Sequence, residues 1–188
     1  NGFMNIGIIG LGLIGGSLAL AAKKHLTFCT LYGEDKNNNN QEQALKLGLV
    51  EYKLNDSNYS GMDVIILAIP VDIAAKVALS LLDKISDNTL LLDVGSTKSI
   101  ICTTLELHPK RNQFLATHPI AGTEFSGPSA ASIGLYRGKA IILCETQKTR
   151  PDLLEWAIQW FKNMEMDIKE MDPKKHDQHI AYVSHLSH

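Results

Sequence analysis

The sequence has no long apolar run and almost no excess of charge. No stretch approaches the roughly 20 consecutive apolar residues that a membrane-spanning helix needs. Its 18 basic and 20 acidic side chains leave a formal net charge of −2. This balance gives no electrostatic reason to expect nucleic acid or an anionic membrane surface as a partner. We therefore expect neither, and a small molecule is the expected ligand.

Cysteine is also scarce. The three cysteines, Cys29, Cys102 and Cys144, are far apart and form no C-x-x-C pair. Three thiols cannot all pair within one chain, and their spacing does not suit a structural zinc site. We expect free thiols in a cytoplasmic protein. No basic segment followed by an apolar one marks a secretory signal near the N-terminus, and we take Met4 as the natural start.

The chain alternates between segments with strand and helix signals, and its 188 residues suffice for one large domain. The predicted strands are 4–9, 28–32, 64–69, 90–94, 112–116, 140–144 and 166–170. The predicted helices are 13–24, 41–47, 71–82, 97–107, 151–163 and one that begins near 172. Most strands are apolar on both faces, which indicates an α/β fold with a doubly wound, mainly parallel sheet. The asparagine tract 37–40 is predicted to be a solvated loop.

A glycine-rich motif directly follows the first predicted strand. Gly10-Leu11-Gly12-Leu13-Ile14-Gly15 reads G-x-G-x-x-G and begins a helix, which is the context that a dinucleotide-binding turn requires. Gly10 permits the tight turn, Gly12 lets the main chain approach a pyrophosphate, and Gly15 allows the helix to pack on the sheet. The helix N-terminus attracts the phosphate charge. All six residues are predicted to bind a dinucleotide.

The second predicted strand is followed by acidic residues. An acid about 20 residues past the last glycine accepts hydrogen bonds from the adenosine ribose and repels a 2′-phosphate. We choose Asp35 over Glu34, because a residue just past the strand end can face the crevice. This choice favours NAD over NADP, although Asp35 beside Lys36 also fits a plain surface acid. Ala68, in the strand 64–69, is a further predicted cofactor contact.

One histidine is poorly explained as core filling. His118 follows the predicted strand 112–116 and precedes a loop rich in glycine, proline and serine. Histidine titrates near neutral pH, so a positioned histidine can accept or donate a proton. Ser96 follows another strand at the carboxyl edge of the sheet, where ligands of doubly wound folds bind. It is predicted to hydrogen-bond His118 and the cofactor, although it also suits a helix N-cap.

Four histidines near the end of the chain suggest a metal site at first sight. At 100° per residue, however, the pair His176 and His179 lies on nearly the opposite helix face from His185 and His188. One site with four histidines is therefore excluded. A pair three residues apart lacks an evident carboxylate partner, and we predict no metal.

Taken together, these segments resemble the prephenate dehydrogenase family of tyrosine biosynthesis. The matching segments lie in the family's order over nearly the whole chain, and the last two are the most specific. They are 10–17 (GLGLIGGS), 93–98 (DVGSTK), 118–127 (HPIAGTEFSG) and 181–188 (AYVSHLSH). The resemblance implies oxidative decarboxylation of prephenate to 4-hydroxyphenylpyruvate, with a hydride transferred to NAD.

The resemblance also implies roles for individual residues. His118 matches the catalytic histidine that takes the proton of the C4 hydroxyl, and Ser96 matches the serine that orients it. Thr123 and Glu124 match positions at the substrate mouth. His185 and His188 match histidines that face the substrate.

The family's organisation implies two domains. Residues 4–171 are expected to form the NAD-binding domain, and 172–188 the first helix of a helical domain that makes most of a homodimer interface. We expect that helical domain, with an arginine for a substrate carboxylate, to be missing from this chain.

Three alternatives stay open at this point. Arogenate could replace prephenate as the substrate. A β-hydroxyacid-type dehydrogenase would share the glycine motif but needs a catalytic lysine on a later helix, and Lys174 and Lys175 fit only by position. A module that senses NAD without catalysis would have no need of a proton acceptor at His118.

Overall fold

A computed structural model describes residues 3–26, 28–120, 131 and 134–186, and for 184–186 it describes the main chain only. The strands are β1 (Met4–Ile9), β2 (Cys29–Glu34), β3 (Tyr52–Lys53), β4 (Val64–Leu67), β5 (Leu90–Asp93), β6 (Phe114–Pro119), β7 (Ala140–Cys144) and β8 (Asp167–Glu170). The helices are α1 (Leu13–His25), α2 (Asn38–Lys46), α3 (Val71–Lys84), α4 (Ser99–Leu105), α5 (Pro151–Asn163) and α6 (Pro173–Leu186).

The strands form a single sheet in the order β3-β2-β1-β4-β5-β6-β7-β8. Every neighbouring pair is parallel except β6 and β7. The predicted doubly wound, mainly parallel sheet is confirmed.

Alternation along the central strands explains the two apolar layers. In β4, Val64 and Ile66 join the core on one face of the sheet, while Ile65 and Leu67 join the core on the other. Residues of α1, α2 and α5 cover the first face, and residues of α3 and α4 cover the second. Because both faces are covered, β4 is apolar throughout its length.

The strand order places a switch point beside β1. The chain leaves β1 for β2 on one side and later returns to β4 on the other side. In parallel sheets of this kind, ligands bind in the crevice outside the carboxyl ends of the strands at such a point. The carboxyl ends of β1, β4, β5 and β6 all lie on this edge, because these four strands are parallel neighbours.

The asparagine tract departs from its prediction. Asn37 caps α2, and its side-chain oxygen accepts hydrogen bonds from the N–H groups of Asn39 and Asn40 at 3.0 and 3.2 Å. Three of the four asparagines therefore lie in the first helical turn rather than in a loop. Asparagine is a favoured N-cap residue, and this capping offsets its weak preference for helix interiors.

Two strand predictions also change. A 3-10 turn occupies Arg111–Gln113, so β6 begins later than predicted and continues through His118. The short edge strand β3 was missed, because two exposed residues carry no readable apolar period. In the described part of the chain, none of the helices has both the length and the hydropathy needed to cross a membrane.

Candidate active site

The turn after β1 has the geometry that its glycines predict. Gly10 has a φ of +99°, and a Cβ there would lie 2.1 Å from the carbonyl oxygen of Ala68. A Cβ on Gly15 would lie 1.8 Å from the carbonyl oxygen of Gly10. These two positions therefore exclude any side chain, one because of its conformation and contact and the other because helix and turn pack closely.

Gly12 is different, because a Cβ there would meet no atom of the described residues within 4 Å. Its main chain is thus open on the side where a side chain would stand. Gly12 also precedes α1, whose N-terminus has no side-chain cap and no acidic residue in its first turn. Uncapped N–H groups at a helix N-terminus attract phosphate oxygens. The turn fits a dinucleotide pyrophosphate.

A cavity of about 420 Å³ lies beside this turn, at the switch point of the sheet. Four predicted cofactor residues line it: Gly10, Gly12, Asp35 and Ala68. Its other lining residues are Ile9, Glu34, Lys36, Asn37, Asn40, Tyr59, Ile69, Pro70, Ile73 and Val77. The mixture of apolar side chains with a few polar groups is typical of a small-molecule site.

Asp35 links the glycine turn to the start of α2. Its Oδ2 accepts a hydrogen bond from the N–H of Leu11 at 2.7 Å, and its Oδ1 accepts one from the N–H of Asn37 at 2.8 Å. Glu34 instead accepts a hydrogen bond from the hydroxyl of Tyr59 at 2.5 Å. Burial raises the pKa of Glu34, against the opposing effect of this hydrogen bond. Both acids line the cavity, and the two hydrogen bonds of Asp35 join the glycine turn to the start of α2.

The remaining residues of the glycine motif lie inside the domain. The side chains of Leu11 and Leu13 are buried in the core, and Gly15 is buried in α1. The carbonyl of Ile14 accepts a hydrogen bond from the Tyr136 hydroxyl. Any cofactor contact of these residues would therefore involve the main chain, and their assignment to the cofactor stays a prediction.

His118 makes a hydrogen bond to a histidine 58 positions later in the chain. Nδ1 of His118 lies 2.9 Å from Nε2 of His176, and the two rings meet edge to face. Nδ1 of His176 in turn lies 2.8 Å from Oδ1 of Asp177. His176 is fully buried, whereas His118 is partly exposed. The three side chains form a continuous hydrogen-bonded chain from α6 to β6.

The carboxylate at the end of this chain is held by the start of α4. The main-chain N–H groups of Lys98 and Ser99 donate to the two oxygens of Asp177 at 2.7 and 2.9 Å. Burial alone would raise the pKa of Asp177, but the hydrogen bonds from Ser99, His176 and Lys98 outweigh it and lower the pKa. Asp177 is therefore a carboxylate that accepts hydrogen bonds only.

The positions of the protons on the two histidines follow from the Asp177 carboxylate, which ends this series of hydrogen bonds. Because the Asp177 carboxylate accepts, Nδ1 of His176 donates to it, and a His176 ring that carries this one proton has its acceptor lone pair on Nε2. Nδ1 of His118 must then donate to that Nε2. The lone pair of His118 therefore lies on Nε2, to which none of the described residues donates a hydrogen bond. This tautomer can accept a proton.

The surroundings also keep His118 neutral. Burial, the neighbouring His176 and the charge of Lys98 lower the pKa of His118 to about 4, while Asp177 acts in the opposite direction. At neutral pH the ring is thus unprotonated and available as a base.

Ser96 does not take the position that the sequence predicts. It is exposed, and among the described residues it makes no hydrogen bond to His118, whose Nδ1 is bonded to His176. The alternative that Ser96 caps a helix is also wrong, because α4 begins at Ser99 and Asp177 supplies the acceptor for its first N–H groups. Ser96 lies at the carboxyl edge after β5, and its contact with a ligand stays a prediction.

The side chains of the other predicted substrate residues are not among those that the structure describes. Thr123, Glu124 and His188 lie outside the described residues, as does the side chain of His185, whose main chain belongs to α6. Among the described residues, no group of three or more histidine, cysteine or acidic side chains could hold a metal ion.

Sequence reasoning missed His176 and Asp177 as partners of His118. Their adjacency is visible in the sequence, but His176 is weighed there only as a metal ligand and Asp177 is given no role. Nothing in the sequence pairs residues 58 positions apart, and an alternation of strands and helices does not say which side chain of α6 faces β6. The buried Lys98 was also missed, although it follows Ser96 closely.

Comparison with known proteins agrees with this architecture. The family described as "Prephenate dehydrogenase, nucleotide-binding domain" matches residues 18–170. The chain belongs to the prephenate dehydrogenase family. Within this family it is 35% identical over 186 residues to the prephenate dehydrogenase of Bacillus subtilis (strain 168), covering 96% of this chain and 50% of that protein. The chain thus spans about half the length of this curated relative.

Solved structures of the family superpose closely on the chain. A prephenate dehydrogenase from A. aeolicus in complex with hydroxyphenyl propionate and NAD+ matches with a TM-score of 0.84 at 28% identity, covering 93% of this chain and 62% of that one. Synechocystis arogenate dehydrogenase matches with a TM-score of 0.85 at 29% identity, covering 97% and 65%. A 3-hydroxyacyl-CoA dehydrogenase at 16% identity has a TM-score of 0.67 and shares only the fold.

Proposed function

We propose that this chain is the NAD-binding and proton-accepting part of an enzyme that oxidatively decarboxylates prephenate. Arogenate is the alternative substrate, because the relatives include enzymes named for either compound. Hydride transfer to NAD and loss of the ring carboxylate as CO2 together give the aromatic product. The hydroxyl proton that the base takes as hydride leaves returns to the phenolate oxygen once the ring is aromatic. The observation that carries the proposal is the chain from Asp177 to His118, in which Nε2 of His118 receives no hydrogen bond from a described residue and lies on the edge that also bears Gly10 and Gly12.

NAD supplies the hydride acceptor when it is bound. The open main chain at Gly12 and the N-terminus of α1 would hold its pyrophosphate. Asp35 would face the adenosine ribose, because it lines the cavity next to the turn. A carboxylate there would repel a 2′-phosphate, which favours NAD over NADP.

His118 would take the proton of the substrate hydroxyl on Nε2. Breaking a C–H bond as hydride becomes easier when the carbinol oxygen loses its proton, and a positioned base typically contributes 10²–10⁴-fold to the rate. His176 would orient the ring of His118, because its Nε2 lies 2.9 Å from Nδ1 of that ring, and the negative charge of Asp177 would favour the positive charge that develops on His118. Asp177 in turn would hold His176 in the required tautomer.

A β-hydroxyacid dehydrogenase that uses a lysine has less support. Lys174 and Lys175 are both exposed on the first turn of α6, where their N–H groups bond Oδ2 of Asp172. Structures of the hydroxyacyl-CoA type share the fold at 13% to 16% identity, which carries no argument about substrate.

We further propose that residues 172–188 begin a second, helical domain through which the complete enzyme forms a homodimer. α6 starts directly after the last strand, and its Tyr182 and Val183 are exposed apolar side chains. Light scattering on the complete protein tests this: a dimer is expected, and a monomer would contradict it.

The decisive experiment supplies NAD with either prephenate or arogenate and follows NADH absorbance. His118→Asn should lower kcat by about 10²–10⁴-fold and leave the Kd for NAD unchanged, because the base is separate from the glycine turn. The matched control is His108→Asn, since His108 precedes β6 and bonds Asp83 rather than His176. Activity with neither substrate would refute the proposed reaction, and an active His118→Asn variant would refute the role of His118.

A further inference from the structure

Lys98 is a fully buried cation next to the proposed base. Its ammonium donates to Oδ2 of Asp93 at 2.5 Å and to the carbonyl oxygen of Thr117 at 2.6 Å. The other oxygen of Asp93 has no hydrogen-bond partner among the described residues. Burying an ion pair often costs more free energy than the pair returns. Stability alone is therefore a weak explanation for Lys98.

Lys98 contacts both ends of the hydrogen-bonded chain. Its ammonium holds the carbonyl of Thr117, the residue directly before His118. Its main-chain N–H donates to Oδ1 of Asp177, the same oxygen that lies against Nδ1 of His176. One residue thus fixes the main chain that carries His118 and the carboxylate that orients its partner.

A purely structural role would leave part of this arrangement unexplained. The ends of β5 and β6 are already joined, because the hydroxyl of Thr117 donates to the carbonyl of Asp93 at 2.7 Å and Asp93 pairs in register with Ala116. The ammonium adds a charge at this junction as well as a further hydrogen bond.

We propose that Lys98 is a positioning residue for His118: its ammonium holds the main chain that carries His118, and its N–H holds the carboxylate that orients His176. The inference rests on the proposed role of His118 as proton acceptor. The charge of the ammonium also disfavours the imidazolium form of the nearby ring, which gives this placement a measurable signature. A neutral side chain in the same place would preserve packing but lose both the charge and the hydrogen bond to Thr117.

Several ionisable groups lie near His118 and affect how readily its ring is protonated. His176 and Asp177 lie on α6, Asp93 ends β5, and Lys98 precedes α4. Cys144 on β7 contributes no charge at neutral pH, because burial raises the pKa of its thiol to about 12. Burial also raises the pKa of Asp93, against the opposing charge of Lys98.

The test replaces the pair together, as Lys98→Met/Asp93→Asn, so that no lone charge is left buried. Lys98→Met alone is the second variant, in which Asp93 can take up a proton. A matched control exists at the opposite end of β6: Arg111, in the 3-10 turn before this strand, bonds Glu145 at 3.3 Å and the carbonyl of Phe114 at 2.9 Å. The control variant is Arg111→Met/Glu145→Gln.

The primary measurement is ¹⁵N NMR of the His118 ring, which reports its pKa and tautomer in this chain without any substrate. Wild type and control should titrate alike, with the proton on Nδ1. In the Lys98 variants the pKa should rise by on the order of one pH unit and the tautomers should mix. With substrate, kcat should fall by more than about 10-fold and KM should change little.

Folded Lys98 variants with the pKa and tautomer of wild-type His118 would overturn the inference, as would an equal change in the control. Circular dichroism establishes that each variant is folded. If the wild type shows the expected ring properties but no turnover with either substrate, the proposed reaction fails and the placement of His118 by Lys98 stands. The two failures are therefore distinguishable.

Discussion

The glycine turn after β1 and the histidine chain at the end of β6 lie on one edge of the sheet, but the first is made of main chain and the second of side chains. In the turn, Gly10 and Gly15 approach carbonyl oxygens so closely that no Cβ fits. In the histidine chain, contacts between side chains join β6 to α6 across 58 residues. The turn depends on main-chain conformations that few residues adopt, whereas the histidine chain depends on how the tertiary structure places β6 against α6.

Because of this difference, substitutions in the two regions should have different effects. A side chain added at Gly10 or Gly15 should change the shape of the main chain and with it the stability of the domain. A substitution in the histidine chain leaves the fold intact and changes where a proton resides. The four experiments that follow test this contrast, beginning with the largest expected effect.

The contrast is strongest between two glycines of the same turn. Gly10→Ala places a Cβ 2.1 Å from the Ala68 carbonyl at a φ of +99° and should destabilise the domain by about 3 kcal/mol or more. Gly12→Ala meets no described atom and should keep its Tm but bind NAD at least about 10-fold more weakly. Thermal melts and calorimetric titration with NAD measure both effects. Wild-type NAD affinity in Gly12→Ala would show that the pyrophosphate does not approach there.

Asp177→Asn tests the histidine chain without changing its size. An amide offers only one acceptor oxygen, so one of the donors from His176, Lys98 and Ser99 loses its partner. We expect kcat to fall about 10²-fold, with the Kd for NAD unchanged. Asp172→Asn is the control directly before the same helix, because among the described residues its Oδ2 bonds only the main-chain N–H groups of Lys174 and Lys175. Equal kcat losses in the two variants would contradict the assigned role.

Acid should weaken the domain partly through His118. Its pKa is about 4 in the folded chain and near 6.5 when unfolded, so the unfolded chain binds the proton first as pH falls from 6.5 to 4. The free energy of unfolding should therefore drop across this window by about 2 kcal/mol for this group, less than the full shift gives because the ring is partly exposed. Urea titrations at both ends of the window should show a smaller drop in His118→Asn. An identical drop would mean that His118 is not held neutral.

The smallest effect is expected at the cavity wall. Tyr59→Phe removes the hydrogen bond from the Tyr59 hydroxyl to Glu34 and should cost about 1 kcal/mol of stability. The Kd for NAD should change less than about 3-fold, because the main chain of the turn is untouched. The exposed Tyr52→Phe is the control, measured by the same urea titrations. A large loss of NAD affinity in Tyr59→Phe would show that side chains, and not only the main chain of the turn, contribute to NAD binding.

The predictable part of the structure followed from local patterns. Apolar strands such as β4 and the glycine motif indicated the sheet and its turn, because neighbouring residues decide both. Some of the incorrect secondary-structure predictions also had local causes. The capping bonds of Asn37 made a helical turn out of a predicted loop, and a 3-10 turn delayed the start of β6.

The sequence by itself determined the doubly wound sheet and the glycine turn, since strand periodicity and positive φ are properties of short segments. It also singled out His118 as a group that needed an explanation. Only the tertiary structure decided that His176, rather than Ser96, bonds its ring, and that a buried Lys98 bonds the neighbours of these two histidines, Thr117 and Asp177. The reason is physical: hydrogen bonds between distant side chains form only where packing brings their elements together, and no periodicity in the chain records that placement.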